Sequence, residues 1–351
     1  MSRSTVSDDP LSGLLRVKPA TWQWTRAIRS ALCIGLPFVL GLIINDIMTG
    51  MWIAMGCLMM ITGESSGSYR SIYTKMLISA PIGALGYLLG YLASLPWGAV
   101  VASMIVIGFV SALLSSKNRA LSIGTLQTLL VASIALGVPA ITPFWQPAVL
   151  YLVGAVFYAV VLGIEILIRG WHAQDNPTEN QSSGTASGQT PGPGASPIAA
   201  AVAFSLCLGV AYCTHWVNDT AHWFWVPLTV GLVMKPDFGS IRDRALQRII
   251  GTLAGVLIGA VALATVPKGL PLIAVMSVLA AFLPWAMQRS YVLQAVFLTP
   301  LVLILVDVIV PGTSDINYGM QRLIDTAVGG VIVIAVGYLP MRYLRRRDSS
   351  A

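Results

Sequence analysis

Charge is scarce in this sequence. Asp, Glu, Lys and Arg supply 10% of its 351 residues, against about 25% in an ordinary soluble domain. Histidine occurs three times. The four cysteines, Cys33, Cys57, Cys207 and Cys213, form no CxxC and sit in or beside apolar runs, so they read as small apolar residues. Neither a disulfide framework nor a metal centre is expected, and no cofactor. A nucleotide-binding P-loop is also missing. Asp8, Asp9 and Pro10 stand where the apolar core of a cleavable signal peptide would begin.

Apolar residues are abundant, at 56%, and the mean hydropathy is +0.78. So little charge cannot keep a chain of this size in water. The balance excludes a soluble enzyme, a nucleic-acid binder and a disordered chain, and leaves an all-α, polytopic membrane protein. The net charge of +7 then reads as basic loops held on the cytoplasmic side.

A membrane-crossing helix needs about 20 mostly apolar residues. Such runs fall at 27–44, 72–93, 97–114, 120–137 and 147–168, then at 198–215, 245–266, 270–287, 290–309 and 320–341. Two shorter runs, 51–62 and 224–234, read as short or broken helices shielded by protein. The expectation is twelve crossings. Residues 1–26 form a cytoplasmic N-terminal segment, 27–172 a first membrane repeat and 198–341 a second, and 342–351 a basic cytoplasmic tail. Residues 173–197, AQDNPTENQSSGTASGQTPGPGASP, hold only alanine as an aliphatic residue and read as a flexible cytoplasmic linker. Such a coil spans on the order of 28 Å. With both termini in the cytoplasm, twelve crossings place 19 of the 21 Lys and Arg there, leaving Lys268 outside and Arg322 within a span.

The two apolar blocks resemble each other. A shift of 173 residues carries Asn45-Asp46 onto Asn218-Asp219, Trp52 onto Trp225, Glu64 onto Asp237, Lys75 onto Arg248 and Gly86 onto Gly259. A one-residue adjustment upstream pairs Cys33 with Cys207 and Gly35 with Gly209, and a three-residue change later pairs Arg119 with Arg289. Six crossings per unit make the repeats parallel, and the interface between such repeats often holds a transporter's substrate.

In the second block, a short apolar element ends in the turn Lys235-Pro236-Asp237-Phe238-Gly239. A basic helix start (Arg242, Arg244, Arg248) then runs into Gly251-x3-Gly255-x3-Gly259. Glycines four apart let another helix approach closely. The basic residues fit either topology and lipid headgroups, or a vestibule that concentrates anions. The stretch WVPLTVGLVMKPDFGSIRDRALQRIIGTLAG, from Trp225, resembles the signature of the fusaric acid resistance (aromatic acid exporter) superfamily of bacterial inner-membrane proteins. QRLIDTAVGG, from Gln321, is similar to that family's closing helix. The RALQRIIGT core also resembles the aluminium-activated malate transporters of plants. The resemblance implies secondary export of aromatic or other small organic acids across the inner membrane. It departs in one respect, because larger members carry a sizeable soluble domain where this chain has its linker.

On this reading the expected partners are a small organic anion and membrane lipids, with no nucleic acid, and a homodimer is compatible. Lys235, Arg242, Arg244 and Arg248, with Arg70 and Lys75, would attract the anion at rims between the two repeats. Trp52 and Trp225 would stack on or gate an aromatic ring. Arg322 and Asp325, three apart on one helix face, form either a structural ion pair or a coupling and gating pair. Asp46 and Asp219 read as caps, or as proton-binding carboxylates on the outer side. Glu165 is expected to face Arg169. His215, Asp219 and His222 would share a helical face, but an interfacial aromatic belt with Trp216, Trp223 and Trp225 explains the region better. Gly63-Glu64-Ser65-Ser66-Gly67 matches GxSxG literally, yet lies in a turn between apolar spans with no histidine before His172, and reads as a loop. An enzyme is not expected. Two alternatives stay open, an anion channel and a membrane scaffold whose basic face binds lipid or a partner.

Overall fold

The computed structural model describes residues 18–64, 67–138, 143–170, 197–217, 222–234, 241–309 and 316–339; for 241–242, 306–309 and 316–318 it describes the backbone alone. Nearly all of the linker, the basic tail, Lys235, Asp237 and Asp219 lie outside these residues.

Twelve α-helices and no strand occur among the described residues. Six precede the linker: α1 (Trp24–Ile43), α2 (Ile47–Gly63), α3 (Tyr69–Leu88), α4 (Trp97–Ser115), α5 (Arg119–Gly137) and α6 (Gln146–Arg169). Six follow it: α7 (Pro197–Cys213), α8 (Trp225–Val233), α9 (Ile241–Thr265), α10 (Leu270–Arg289), α11 (Tyr291–Ile309) and α12 (Ile316–Ile332). A 3-10 turn extends α3 through Ser94, and a π turn over Val333–Tyr338 extends α12. Nine of these helices, with such extensions, are long and apolar enough to cross a membrane. The expectation of twelve is met in helix number, while α2 (17 residues) and α8 (9 residues) are shorter than a crossing needs.

Local chemistry sets the ends. Asp46 caps α2 by accepting from the Thr49 amide at 3.2 Å, and Asn118 caps α5 by accepting from the Leu121 amide at 2.8 Å. Gly170 ends α6 at φ 82°, a conformation that favours glycine. Outward faces are apolar: α1 exposes Ile28, Leu32, Leu36 and Leu40, and α6 exposes Val149, Val153, Val156, Val160 and Ile164. Apolar stripes of this length on the outside of a folded chain suit contact with lipid.

Within each half, the helices pair in the same pattern. First packs on second and sixth, second on third and sixth, third on fifth and sixth, and fourth on fifth. Between the halves, α1 packs on α10 and α4 on α7, while α5 meets α8 and α2 meets α11. Small residues permit these approaches. Gly35 abuts Ser277, and Gly209 abuts Ile105. The Gly251, Gly255 and Gly259 stripe lies along α11, at Val292, Val296 and Pro300, so its role is packing. A Cβ on Gly154 would fall on the Ile53 carbonyl oxygen, and one on Gly329 would sit 3.1 Å from the Val226 carbonyl oxygen. Ile53 and Val226 are themselves 173 residues apart.

These contacts predict an ordered cost for added bulk. G154V drives a branched side chain into backbone and destabilises by about 3 kcal/mol or more. G98A, where nothing lies within 4 Å of the added carbon, leaves stability unchanged. Thermal unfolding in detergent, followed by loss of the monodisperse size-exclusion peak, measures both.

Candidate functional site

The most polar place in the first half lies at its linker end, where α1 begins, α2 and α6 end and α3 begins. The Arg29 guanidinium donates to both oxygens of Glu64 at 2.7 Å, to the Tyr158 hydroxyl at 3.1 Å and to Glu165. Arg26 pairs with Glu64 at 3.0 Å. Tyr158 also donates to Glu64, and the Tyr69 hydroxyl donates to Glu165 at 3.0 Å. All four charges are nearly buried, the side chains of Arg29 and Glu64 being 2% and 3% exposed. Two cations meet two anions, so the cluster is neutral. Burial alone would raise the Glu64 carboxyl, but Arg26, Arg29 and the Tyr158 hydroxyl outweigh it and hold the group below the usual carboxylate range.

Glu64 also borders a recess of about 230 Å³, whose other walls include Met60 from α2, Ile72, Lys75 and Ser79 from α3, and Gln127 from α5. Gln127 donates to the Met59 carbonyl at 2.7 Å and accepts from the Tyr151 hydroxyl at 3.3 Å. The first half thus brings a cation, a hydroxyl and an acid together in its own interior.

The second half places Arg248 at the position of Lys75. Its side chain is among the largest fully buried ones, in a residue 1% exposed. It hydrogen-bonds the Tyr291 hydroxyl, which donates its own proton to the Leu232 carbonyl at 2.9 Å. Tyr291 is neutral. Arg248 Nε and Nη1 are buried and have no hydrogen-bond partner among the described residues. One turn along α9, at the position of Ser79, the Thr252 hydroxyl is in the same condition, as is that of Thr299 on α11 beside Gly255. A guanidinium donates up to five hydrogen bonds, and a buried charge is costly unless countered.

Further toward the far end, Arg322 and Asp325 are 0% and 1% exposed on α12. The Arg322 guanidinium lies 4.8 Å from the centre of the Trp225 ring, on which His222 also stacks at 5.0 Å. Arg322 is a neighbouring charge of Asp325.

Several sequence expectations are corrected by this geometry. The cations do not form rims between the halves: Arg248 and Lys75 lie within their own halves, because α3 and α9 pack against α5, α6 and α11, α12 rather than across the interface. Arg70 is exposed, and Arg244 is half-buried. The Arg242 side chain lies outside the described residues, as do Lys235 and Asp219. Trp52 and Trp225 are buried, 4% and 0% exposed, with ring contacts to Tyr87 in one case and to Arg322 and His222 in the other. Glu165 pairs with Arg29 and Tyr69 rather than with Arg169, which donates to Thr25. His215 and His222 share no helical face, since helix ends at Trp216 and His222 lies in a turn; His215 packs 4.2 Å from Trp97 and 4.8 Å from Trp223. Asp46 sits exposed at its cap.

Sequence reasoning missed Arg26, Arg29, Glu64, Tyr69, Tyr158 and Glu165. The available signal was rarity. Between 27 and 172 the chain has only three acids, Asp46, Glu64 and Glu165, and two of them are buried against arginine.

Residues 198–336 match the model of the fusaric acid resistance protein-like family, which bears out the resemblance read from Trp225 onward. Among curated proteins, the chain is 33% identical over 141 residues to the inner membrane protein YccS of Escherichia coli K12, covering 40% of this chain and 19% of that one. It is 31% identical over 128 residues to the uncharacterized membrane protein YvaC of Bacillus subtilis 168 (36% and 20%), and 28% over 119 residues to the uncharacterized protein slr1298 of Synechocystis (34% and 16%). The chain therefore spans a fifth or less of the length of these relatives. No solved structure matches.

The cluster around Arg29 carries a pH signature. A carboxyl depressed below its ordinary value of 4.5 adds stability that is complete above that pH and is lost as pH falls through the folded-state value. Melting temperature should drop on acidification below about pH 4.5 in the wild type. In E64Q it should start lower, by about 3–5 kcal/mol of stability, and fall less with acid. Melting curves at pH 7 and pH 4 test both.

Proposed function

We propose that the chain is a secondary transporter for small organic anions, aromatic carboxylates among them, in a bacterial inner membrane. Arg248 carries this reading. A fully buried guanidinium faces a neutral phenol and leaves two nitrogens without a hydrogen-bond partner among the described residues. A carboxylate accepts from a guanidinium in bidentate fashion, and in a low-dielectric interior it would relieve the uncountered charge.

The surroundings support an anion of this class. The Thr252 and Thr299 hydroxyls supply further polar atoms in an otherwise apolar setting. Arg322, buried over Trp225 nearer the far end, offers a second cationic station beside its own carboxylate, Asp325, so an anion leaving Arg248 has a successor site along the same half. The pairing of helices, equal in the two halves, supports two parallel six-helix repeats related by a pseudo-two-fold axis along the membrane normal. The bias of basic residues supports a cytoplasmic linker and cytoplasmic termini. The family match supports a membrane role and is silent on the solute. With no P-loop in the sequence, the work is drawn from an ion gradient or from the solute's own gradient.

Efflux of radiolabelled benzoate from proteoliposomes, with and without an imposed pH gradient, tests the proposal. The wild type should release benzoate faster than empty vesicles. R248A should reduce that rate about tenfold or more, the equivalent of one charge-assisted hydrogen bond, while keeping its size-exclusion profile. Efflux equal to that of empty vesicles for the wild type, or unchanged by R248A, contradicts it.

A further inference from the structure

The two halves share a helix pattern but differ in how they treat the cation on their third helix. In the first half, Lys75 borders the same recess as Glu64. Glu64 is fixed by Arg26, Arg29 and Tyr158. The one-residue adjustment that pairs Cys33 with Cys207 puts Ala200 and Ala203 where Arg26 and Arg29 stand. Aligning Gly154 with Gly329, which make the same approach to the second helix of their half, puts Val333 where Tyr158 stands. All three replacements are buried and apolar. Nothing that clamps a carboxylate in the first half has a counterpart in the second.

The recess walls differ in the same direction. Ala245 stands where Ile72 does and frees volume. Phe297 stands where Gln127 does and replaces an amide with a ring. The cation is retained as Arg248, and the hydroxyl one turn on as Thr252. A place that has kept its cation and hydroxyl, lost the residues that clamp an internal acid and become more apolar suits a carboxylate brought from outside on an aromatic body.

We propose that each chain holds a single organic-anion site, beside Arg248 in the second half, and that the corresponding place in the first half is filled by the protein's own Glu64 carboxylate. This rests on the transport reading above and adds its stoichiometry and its asymmetry. The first half is then an internally neutralised frame. Lys75 has a resident anion and takes no part in binding solute. Solute specificity is set in the second half alone, by Arg248, Thr252 and Phe297.

Equilibrium binding of radiolabelled benzoate to the purified full-length chain in lipid nanodiscs tests this. The wild type should bind one benzoate per chain. R248A should weaken binding about tenfold or more, whereas K75A should leave it within about twofold, because Lys75 faces Glu64 and not the solute. E64Q removes the resident anion, and folded E64Q should gain a second, weaker benzoate equivalent that disappears again in E64Q/K75A. Two equivalents in the wild type, a K75A loss as large as that of R248A, or folded E64Q still binding one would each overturn the inference while leaving transport intact. If E64Q does not fold, the comparison of K75A with R248A decides alone. Complete absence of saturable binding in the wild type, matched by absence of efflux, overturns the transport reading itself.

Discussion

A buried charge in a low-dielectric interior needs a counter-charge, and the architecture of this chain follows from where each one is found. Four charges at the linker end of the first half neutralise one another across α1, α2 and α6. The attraction is large because water is excluded, and the pairs hold only because hydroxyls from Tyr158 and Tyr69 satisfy the remaining carboxylate oxygens. In the second half Arg248 is buried as deeply, with a phenol in place of an acid. The same rule that makes the first half rigid makes the second a binding place.

Close packing determines where such places can form. Glycines at 35, 56, 86, 154, 209, 251, 255 and 329 bring helices within backbone reach of one another. The seams between the halves are lined by small and apolar side chains such as Gly35, Ser277, Gly108 and Leu208. Polar atoms are thereby excluded from the interface and collected inside each six-helix unit. The site is intramural to a half, in contrast to the rims between repeats that the sequence alone suggests.

Much of the helical scaffold is legible in the sequence, since apolar runs of about 20 residues locate nearly every helix to within a few positions. The short elements are legible too, because 51–62 and 224–234 are visibly cut by Asp46, Glu64, Lys235 and Pro236. The glycine stripe announces packing, and packing is its role. Side-chain partnerships are another matter. Glu165 has a basic neighbour one turn away in Arg169, yet its partner is Arg29, 136 residues distant. Periodicity reports which face a residue occupies and is silent on which distant helix meets that face. The 173-residue shift placed Lys75 against Arg248 without revealing that one has an acid beside it and the other a tyrosine.

The account turns on where a solute carboxylate rests. The most direct measurement is a structure of the full chain in nanodiscs with 4-iodobenzoate, whose iodine identifies the ligand unambiguously in density. The carboxylate should lie within hydrogen-bonding reach of the Arg248 guanidinium and the Thr252 hydroxyl, with no ligand beside Lys75. Iodine density between the halves, or beside Lys75 with the Arg248 site empty, would contradict the account.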